Sequence, residues 1–383
     1  MKALIFSVST GGGHGNAALA LKNHIQINEP NSEVKIIDTL KYINPIIDKV
    51  VVGSYLNTLK VTPSLFGKLY YYTETGEGIS AISGKLIELF TYKLLPLIDE
   101  FKPDILISTH AFTTEMLSVL RQKFKLPIPT VSILTDYAPH SFWLHPFIDA
   151  YVVSSEDMKE EMILRGIPSE TVFPLGIPVK PDFVRKYDRL ETLKELDLDP
   201  KLPTLLVMGG SLGMGKISEI YQELSESSMN FQIVVVTGSN KKLYSELNKL
   251  KELSPKKSVI LGFTKDVNKY MQACDLLLTK PGGLTVTEAL ICQVPLALFS
   301  PIPGQEEKNA EFLLKHNLAI DLGSSKNCIG LIENALANKK MLDTLRNNCS
   351  KIAKPSSGDD IYKMLHSLIE ENSDEILNKK SSN

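Results

Sequence analysis

The chain has 383 residues, 43% hydrophobic and 22% charged, a length and composition that suit two ordinary globular domains. Its 42 Lys and Arg against 44 Asp and Glu leave a formal charge of -2, so no overall basic field draws nucleic acid. No run approaches the roughly 18 apolar residues of a membrane-spanning helix, and the first apolar stretch meets glycine too soon for a secretory signal.

Along the chain, short runs of Val, Ile and Leu alternate with amphipathic helical patterns. In the first half, strands are predicted at 3–8, 34–39, 104–109, 130–135 and 151–154. In the second half they fall at 204–208, 232–237, 258–261, 276–279 and 295–299. Such uniformly apolar runs are expected of parallel strands covered on both faces. Between them, Ala17, Ala18, Leu21 and Ile25 share one helical face, and 217–224 and 267–273 behave similarly. The predicted class is α/β, with ligand ground at the carboxyl ends of the strands of each of two open sheets.

Residues 43–95 depart from this rhythm. They mix Val50-Val51-Val52, Leu65-Phe66 and Leu69-Tyr70-Tyr71-Tyr72 with lysines at 41, 49, 60, 68, 85 and 93 in and beside the segment. That mixture suits either a surface lying on a membrane or helices packed on the first domain. Asp48, Glu74, Glu77 and Glu88 offset several lysines, so charge alone would bind a membrane only modestly. Prolines at 174, 178, 181, 200 and 203 mark the connection between domains, placed at 1–175 and 176–356. A helix is expected at 357–372, followed by a polar, disordered tail at 373–383. Cys274, Cys292, Cys328 and Cys349 lack any C-x-x-C spacing and read as reduced, buried thiols rather than metal ligands.

Five segments carry the chemistry. After the first strand come Ser9-Thr10-Gly11-Gly12-Gly13-His14-Gly15, a tight turn that runs into a helix. Gly12 and Gly13 allow close backbone approach to a ligand, and the helix N-terminus would keep His14 neutral. The spacing matches neither a dinucleotide-binding fingerprint nor a P-loop. Gly209-Gly210-Ser211 after another strand forms a second anion-cradling turn, with Ser211 adding a hydroxyl. Gly262-Phe263 can lay a ring beside a base, or Phe263 can be core. In Lys280-Pro281-Gly282-Gly283-Leu284-Thr285, the turn and helix start offer N–H groups to phosphate. Glu288, one turn on, suits ribose hydroxyls, or simply complements the helix dipole. Gln305 and Glu306, at a further helix start, carry donors and acceptors for sugar hydroxyls, with Asn309 one turn on.

Together these motifs resemble the monogalactosyldiacylglycerol synthase and processive diacylglycerol glucosyltransferase family, related to the peptidoglycan-lipid N-acetylglucosaminyltransferases. The resemblance covers roughly residues 1–370. It implies the GT-B fold: two Rossmann-like domains facing a cleft, with a C-terminal helix crossing back to the first. It also implies an inverting transfer of a hexose, glucose before galactose, from UDP-sugar to diacylglycerol. On this basis Gly210 and Ser211 meet the diphosphate, Phe263 the uracil, and Gly282, Gly283 and Thr285 the phosphate. Glu288 binds ribose, and Gln305 and Glu306 the hexose hydroxyls, with Asn309 also on the donor side. His14 is the first candidate for the base and Asp136 the second. The loop holding Asp136, His140 and Trp143 resembles the family's acceptor side, along with Gly12 and Gly13.

No cofactor or metal is expected beyond the UDP-sugar itself. The expected partners are the lipid acceptor and a membrane surface, and the expected location is the cytoplasm or the cytoplasmic face of the cell membrane. Two rivals share the second-half motifs or the fold: transfer of N-acetylglucosamine to an undecaprenyl-linked precursor, and 2-epimerisation of a UDP-sugar. A third, non-enzymatic reading is a nucleotide-sugar sensor.

Overall fold

Ala3, Leu4, Ile5 and Phe6 have no exposed surface, as a strand covered on both faces requires. In the computed structural model they lie in β1 (Lys2–Ser7), followed by α1 (Gly13–Asn28), β2 (Glu33–Asp38) and α2 (Thr39–Ile43). The structure describes residues 1–9, 12–46, 67, 68, 71, 72, 74, 87–323 and 328–381, with side chains to 374. Most of the 43–95 segment, Thr10 and Gly11 lie outside the described residues. The chain divides into two compact units: Met1–Pro181 with Pro303–Gln305 and Lys354–Asn383, and Asp182–Ile302 with Glu306–Ala353.

The first unit continues with α3 (Leu95–Phe101), β3 (Ile105–Ser108), α4 (Ala111–Phe124), β4 (Thr130–Ile133), β5 (Ala150–Val152), α5 (Glu156–Leu164) and β6 (Val172–Phe173). Its six strands are ordered β2-β1-β3-β4-β5-β6, and every pairing is parallel. The second unit runs α6 (Arg189–Glu195), β7 (Thr204–Met208), α7 (Ile217–Glu226), β8 (Gln232–Val236), α8 (Lys241–Leu253) and β9 (Ser258–Leu261). It continues with α9 (Val267–Ala273), β10 (Leu276–Thr279), α10 (Gly283–Cys292), β11 (Leu296–Leu298), α11 (Gln305–Lys315, in this unit from Glu306), β12 (Ala319–Asp321), α12 (Cys328–Ala337) and α13 (Lys339–Ile352). The second sheet, also all parallel, is ordered β12-β11-β10-β7-β8-β9.

Each sheet reverses its strand order once, between β1 and β3 in the first and between β7 and β10 in the second. At such a reversal the loops leaving the two adjacent strands diverge, which opens a crevice at their carboxyl ends.

The ten strands expected from apolar runs are all present, with ends displaced by one or two residues at most. Two short strands were not anticipated. The two-residue β6 ends just before the proline-rich stretch that marks the connection, and the three-residue β12 is only partly buried. Both lie at a sheet edge, where so few residues carry no periodic pattern. The units divide at Pro181 and Asp182, six residues beyond the expected boundary at 175.

The last helix, α14 (Ser357–Ser381), continues past the expected end near 372 into the stretch expected to be disordered. That stretch, Ser373-Asp374-Glu375-Ile376-Leu377-Asn378-Lys379-Lys380, contains strong helix formers and neither Gly nor Pro.

In the first unit, α14 completes a core. Ile361, Met364 and Leu365 join Leu21 and Ile25 of α1 over Ala3, Ile5, Ile105 and Val131 of the sheet. Polar contacts fix the register of α14 on α1. Nδ1 of the buried His24 lies 2.9 Å from Asp359 Oδ1, and its Nε2 lies 3.0 Å from the Val179 carbonyl. The Asn28 amide also donates to Asp359 Oδ1 at 2.9 Å. The His24 ring holds the Asp359 carboxyl below its ordinary value. A Cβ added at Gly358 would fall 2.2 Å from His24 Cδ2, so glycine is required for the two helices to approach this closely.

The four cysteines are buried free thiols, and burial pushes Cys292 and Cys349 up to about 12. They do not act as thiolates near neutral pH.

The His24 contact gives the first prediction. Gly358→Ala should cost about 1–3 kcal/mol of stability through overpacking against a ring pinned at both nitrogens. The check is the urea midpoint of the full chain, and a midpoint within error of wild type would show that α14 does not depend on this approach.

Candidate active site

In the first unit, the reversal between β1 and β3 brings His14 to the sheet's carboxyl edge. Gly12 caps α1 without a side-chain bond, and His14 is the second residue of the helix. Among the described residues, nothing lies within 4 Å of where a Cβ at Gly13 or Gly15 would stand, so none of them packs against the backbone on either side of His14 there. The half-buried His14 ring places Nδ1 2.8 Å from the Thr109 carbonyl, just past β3, and 2.9 Å from Thr135 Oγ1, just past β4. A carbonyl can only accept, so Nδ1 carries the hydrogen and Nε2 keeps its lone pair.

Burial lowers the His14 pKa below its ordinary value, and this outweighs the opposing charge of Asp136 and the bond to the Thr109 carbonyl. The ring is therefore neutral at pH 7 with a basic Nε2. That is the state a general base needs.

The surrounding residues divide into those beside the ring and those that hold the loop. His110 stands edge-on to His14, with ring centroids 4.6 Å apart. Its Nδ1 accepts the Phe112 N–H at 3.1 Å, capping α4, and burial together with His14 holds its pKa well down. Trp143 is 5% exposed and packs in the core with Leu4 and Phe6, its ring 6.3 Å from that of His14. Asp136, the residue after Thr135, acts on His14 through its charge.

His140 is buried with both nitrogens engaged. Nδ1 accepts the Phe142 N–H at 3.2 Å, and Nε2 lies 3.1 Å from Glu74 Oε2. It thus supports the loop that carries Trp143. Thr109 and Thr135 were absent from the sequence-based candidates, although each closes an apolar run, where cleft residues emerge.

In the second unit, the turn after β7 needs glycine for steric reasons. A Cβ at Gly209 would sit 2.3 Å from the Met214 carbonyl oxygen, and one at Gly213 2.1 Å from that of Thr237. Gly210, Gly213 and Gly215 all have positive φ, at 69°, 56° and 105°. Among the described residues, nothing lies within 4 Å of where a Cβ at Gly210 would stand, and its backbone is half-exposed. Ser211 is half-buried, and its carbonyl accepts the Ser239 N–H at 2.9 Å, which ties the turn to the end of β8.

α10 is an apolar helix buried nearly all round. Gly283, Leu284, Val286, Thr287, Ala289, Leu290, Ile291 and Cys292 are all covered. From its N-cap to its last residue, only Gly282, Thr285 and Glu288 reach the surface in part. Their spacing of three places them on one stripe. Backbone N–H groups at the head of that stripe favour an anion, and the Glu288 carboxylate one turn along accepts from hydroxyls.

The next turn underpins this one. Glu306, in the first turn of α11, receives Lys280 Nζ at 2.9 and 3.1 Å, and its Oε2 also accepts the Ile302 N–H at 2.7 Å. Asn309 is fully buried and donates to the Pro281 carbonyl at 2.9 Å, so it reaches the Lys280–Gly283 turn from beneath. Gln305, the first residue of α11, is half-buried. Phe263, just past edge strand β9, is 72% exposed and therefore not core. Among the described residues, no group of three or more His, Cys, Asp or Glu is placed to hold a metal ion.

Comparison with known proteins gives the same two-part division. Residues 14–179 match the monogalactosyldiacylglycerol (MGDG) synthase family model, and residues 204–359 match the glycosyltransferase family 28 C-terminal domain. A processive diacylglycerol beta-glucosyltransferase of Staphylococcus epidermidis is 30% identical over 373 residues, which is 96% of this chain and 92% of that protein. One of Bacillus licheniformis is 29% identical over 385 residues, covering 99% and 97%.

Among solved structures, Acinetobacter baumannii MurG matches with a TM-score of 0.59 at 15% identity, covering 96% of this chain and 99% of its own. Anabaena HepE in complex with UDP-glucose matches at 0.58 and 14%, covering 97% and 100%. The structural likeness is one of fold, the GT-B architecture. The chain belongs to the monogalactosyldiacylglycerol synthase and processive diacylglycerol glucosyltransferase family of glycosyltransferases.

Proposed function

We propose that this glycosyltransferase moves glucose from UDP-glucose to the hydroxyl of diacylglycerol, with inversion at the anomeric carbon. The observation that carries the reading is His14, neutral, hydrogen-bearing at Nδ1 and basic at Nε2. Nε2 takes the proton of the acceptor hydroxyl, the hydroxyl oxygen forms the new bond to C1, and the bond from C1 to the UDP oxygen breaks. UDP leaves with the electron pair of that bond.

Negative charge grows on the diphosphate as this happens. Backbone N–H groups at Gly210 and at the head of α10 therefore count for more in the transition state than before it. Gly210 and Ser211 would meet the diphosphate, and Gly282, Gly283 and Thr285 the phosphate beside α10. Glu288 would hold the ribose, Phe263 the uracil, and Gln305 the hexose, with Glu306, engaged by Lys280, and Asn309 supporting the turn below.

On the acceptor side we assign Gly12, Gly13, Asp136, His140 and Trp143, with Asp136 tuning His14 and His140 shaping the loop. The acceptor is a membrane lipid, and no helix among the described residues is long and apolar enough to cross a membrane. We therefore place the enzyme at the membrane surface, on the cytoplasmic face that its free buried thiols suit. Exposed Tyr71, Tyr72, Phe142 and Phe147 on the first unit support that placement.

Three measurements test these roles. His14→Ala should lower kcat by about 10²–10⁴-fold, the usual worth of a positioned base, and leave UDP affinity near wild type. Turnover close to wild type in that variant would remove His14 from the role.

The pH profile of kcat/KM tests the same group. A base works when unprotonated, so the rate should be full at pH 7 and fall only as pH drops through a value below the ordinary histidine pKa. Asp136→Asn removes the charge that raises that value and should move the acid limb to still lower pH. An unmoved limb would show that the titrating group is not His14 beside Asp136.

Glu288→Ala should weaken UDP by about 1–3 kcal/mol in calorimetry, the cost of lost bonds to ribose hydroxyls. Unchanged affinity would return Glu288 to a helix-dipole role.

A further inference from the structure

Lys280 occupies a singular place in the second unit. It follows β10 at the reversal of strand order, and its side chain is 9% exposed. Its stem runs beside the turn after β7: a Cβ at Gly215 would lie 3.3 Å from Lys280 Cδ and 3.7 Å from Cγ. The ammonium meets both oxygens of Glu306, whose side chain is equally covered. Glu306 in turn accepts the Ile302 N–H from the turn after β11, and a Cβ at Gly282 would lie 3.8 Å from its Oε1. One buried ion pair thus touches three turns: 209–216 after β7, 280–282 before α10 and the stretch after β11.

We propose that Lys280 is a positioning residue for the donor. With Glu306 it holds these three turns in one register, so that the backbone groups meant for the diphosphate point at one place. The inference rests on the donor reading given above and adds to it. It assigns Glu306 first to the architecture of the diphosphate site, and it names a residue outside the expected donor contacts.

The physical case lies in what each alternative costs. A buried ion pair adds little net stability over well-packed apolar groups, because desolvation offsets the attraction. Stability alone therefore does not account for a lysine and a glutamate here. Removing one partner leaves a buried charge uncompensated, and the neighbouring backbone must move to admit water. The backbone that would move is that of the glycine turns.

The test is calorimetric titration of the full-length enzyme with UDP and, separately, with UDP-glucose, for wild type, Lys280→Met and Glu306→Gln. Gln matches Glu in size and still accepts the Ile302 N–H, so Glu306→Gln is expected to fold and carries the test if Lys280→Met does not. UDP has no hexose, and this separates the alternatives. We expect both variants to weaken UDP by about tenfold and UDP-glucose by the same factor. KM for diacylglycerol at saturating donor should stay unchanged.

If Glu306→Gln weakens UDP-glucose but leaves UDP untouched, Glu306 reads the hexose directly and the proposal falls. It also falls if both affinities hold while the thermal midpoint drops, since the pair would then be only a staple. Wild-type enzyme that fails to bind UDP at all would sink the donor reading itself, and this proposal with it.

Discussion

A parallel sheet whose strand order reverses cannot close its carboxyl edge at the point of reversal, because helices leave the two adjacent strands toward opposite faces. Both candidate clusters of this protein depend on that constraint. In the first unit the reversal separates β1 from β3, and the residues that follow those strands supply His14, Thr109 and His110. In the second it separates β7 from β10, and the residues that follow supply the Gly209–Gly215 turn and Lys280. The rest of each unit, the buried strands and the helices that cover them, forms the core on which those edges stand.

The two edges carry opposite chemistry. At the first, burial and a fixed tautomer keep an imidazole uncharged, and Asp136 offsets part of the effect of burial. The ring thus stays unprotonated near pH 7. At the second, turns dictated by glycine expose backbone, and a single stripe of α10 reaches the surface from an otherwise buried helix. Neither edge uses a strongly charged surface. That accords with a chain whose charges nearly cancel.

Much of this was legible in the sequence because it is local. Apolar runs of four to six residues identify buried parallel strands without any partner in view, and ten of the twelve strands among the described residues could be placed in this way. Glycines that follow such a run mark a turn at the carboxyl end, and a helix after them marks an anion site. Edge strands β6 and β12 escaped because edges need no full apolar pattern. The helical 373–381 stretch escaped because polarity was read as disorder, although its residue types favour helix.

The sequence by itself determined the α/β class, the pairs of turns and the residue types that could serve as base, ribose acceptor and phosphate cradle. Periodicity and steric demands on glycine act within a few residues, so no fold is needed to see them. Only the tertiary structure decided which nitrogen of His14 is basic, since Thr109 and Thr135 lie 95 and 121 residues away along the chain. It likewise decided that Glu306 is engaged by Lys280, 26 residues earlier, and that Asn309 faces the turn beneath the site. Hydrogen-bond partnership and burial depend on distance in space, and a sequence records only distance along the chain.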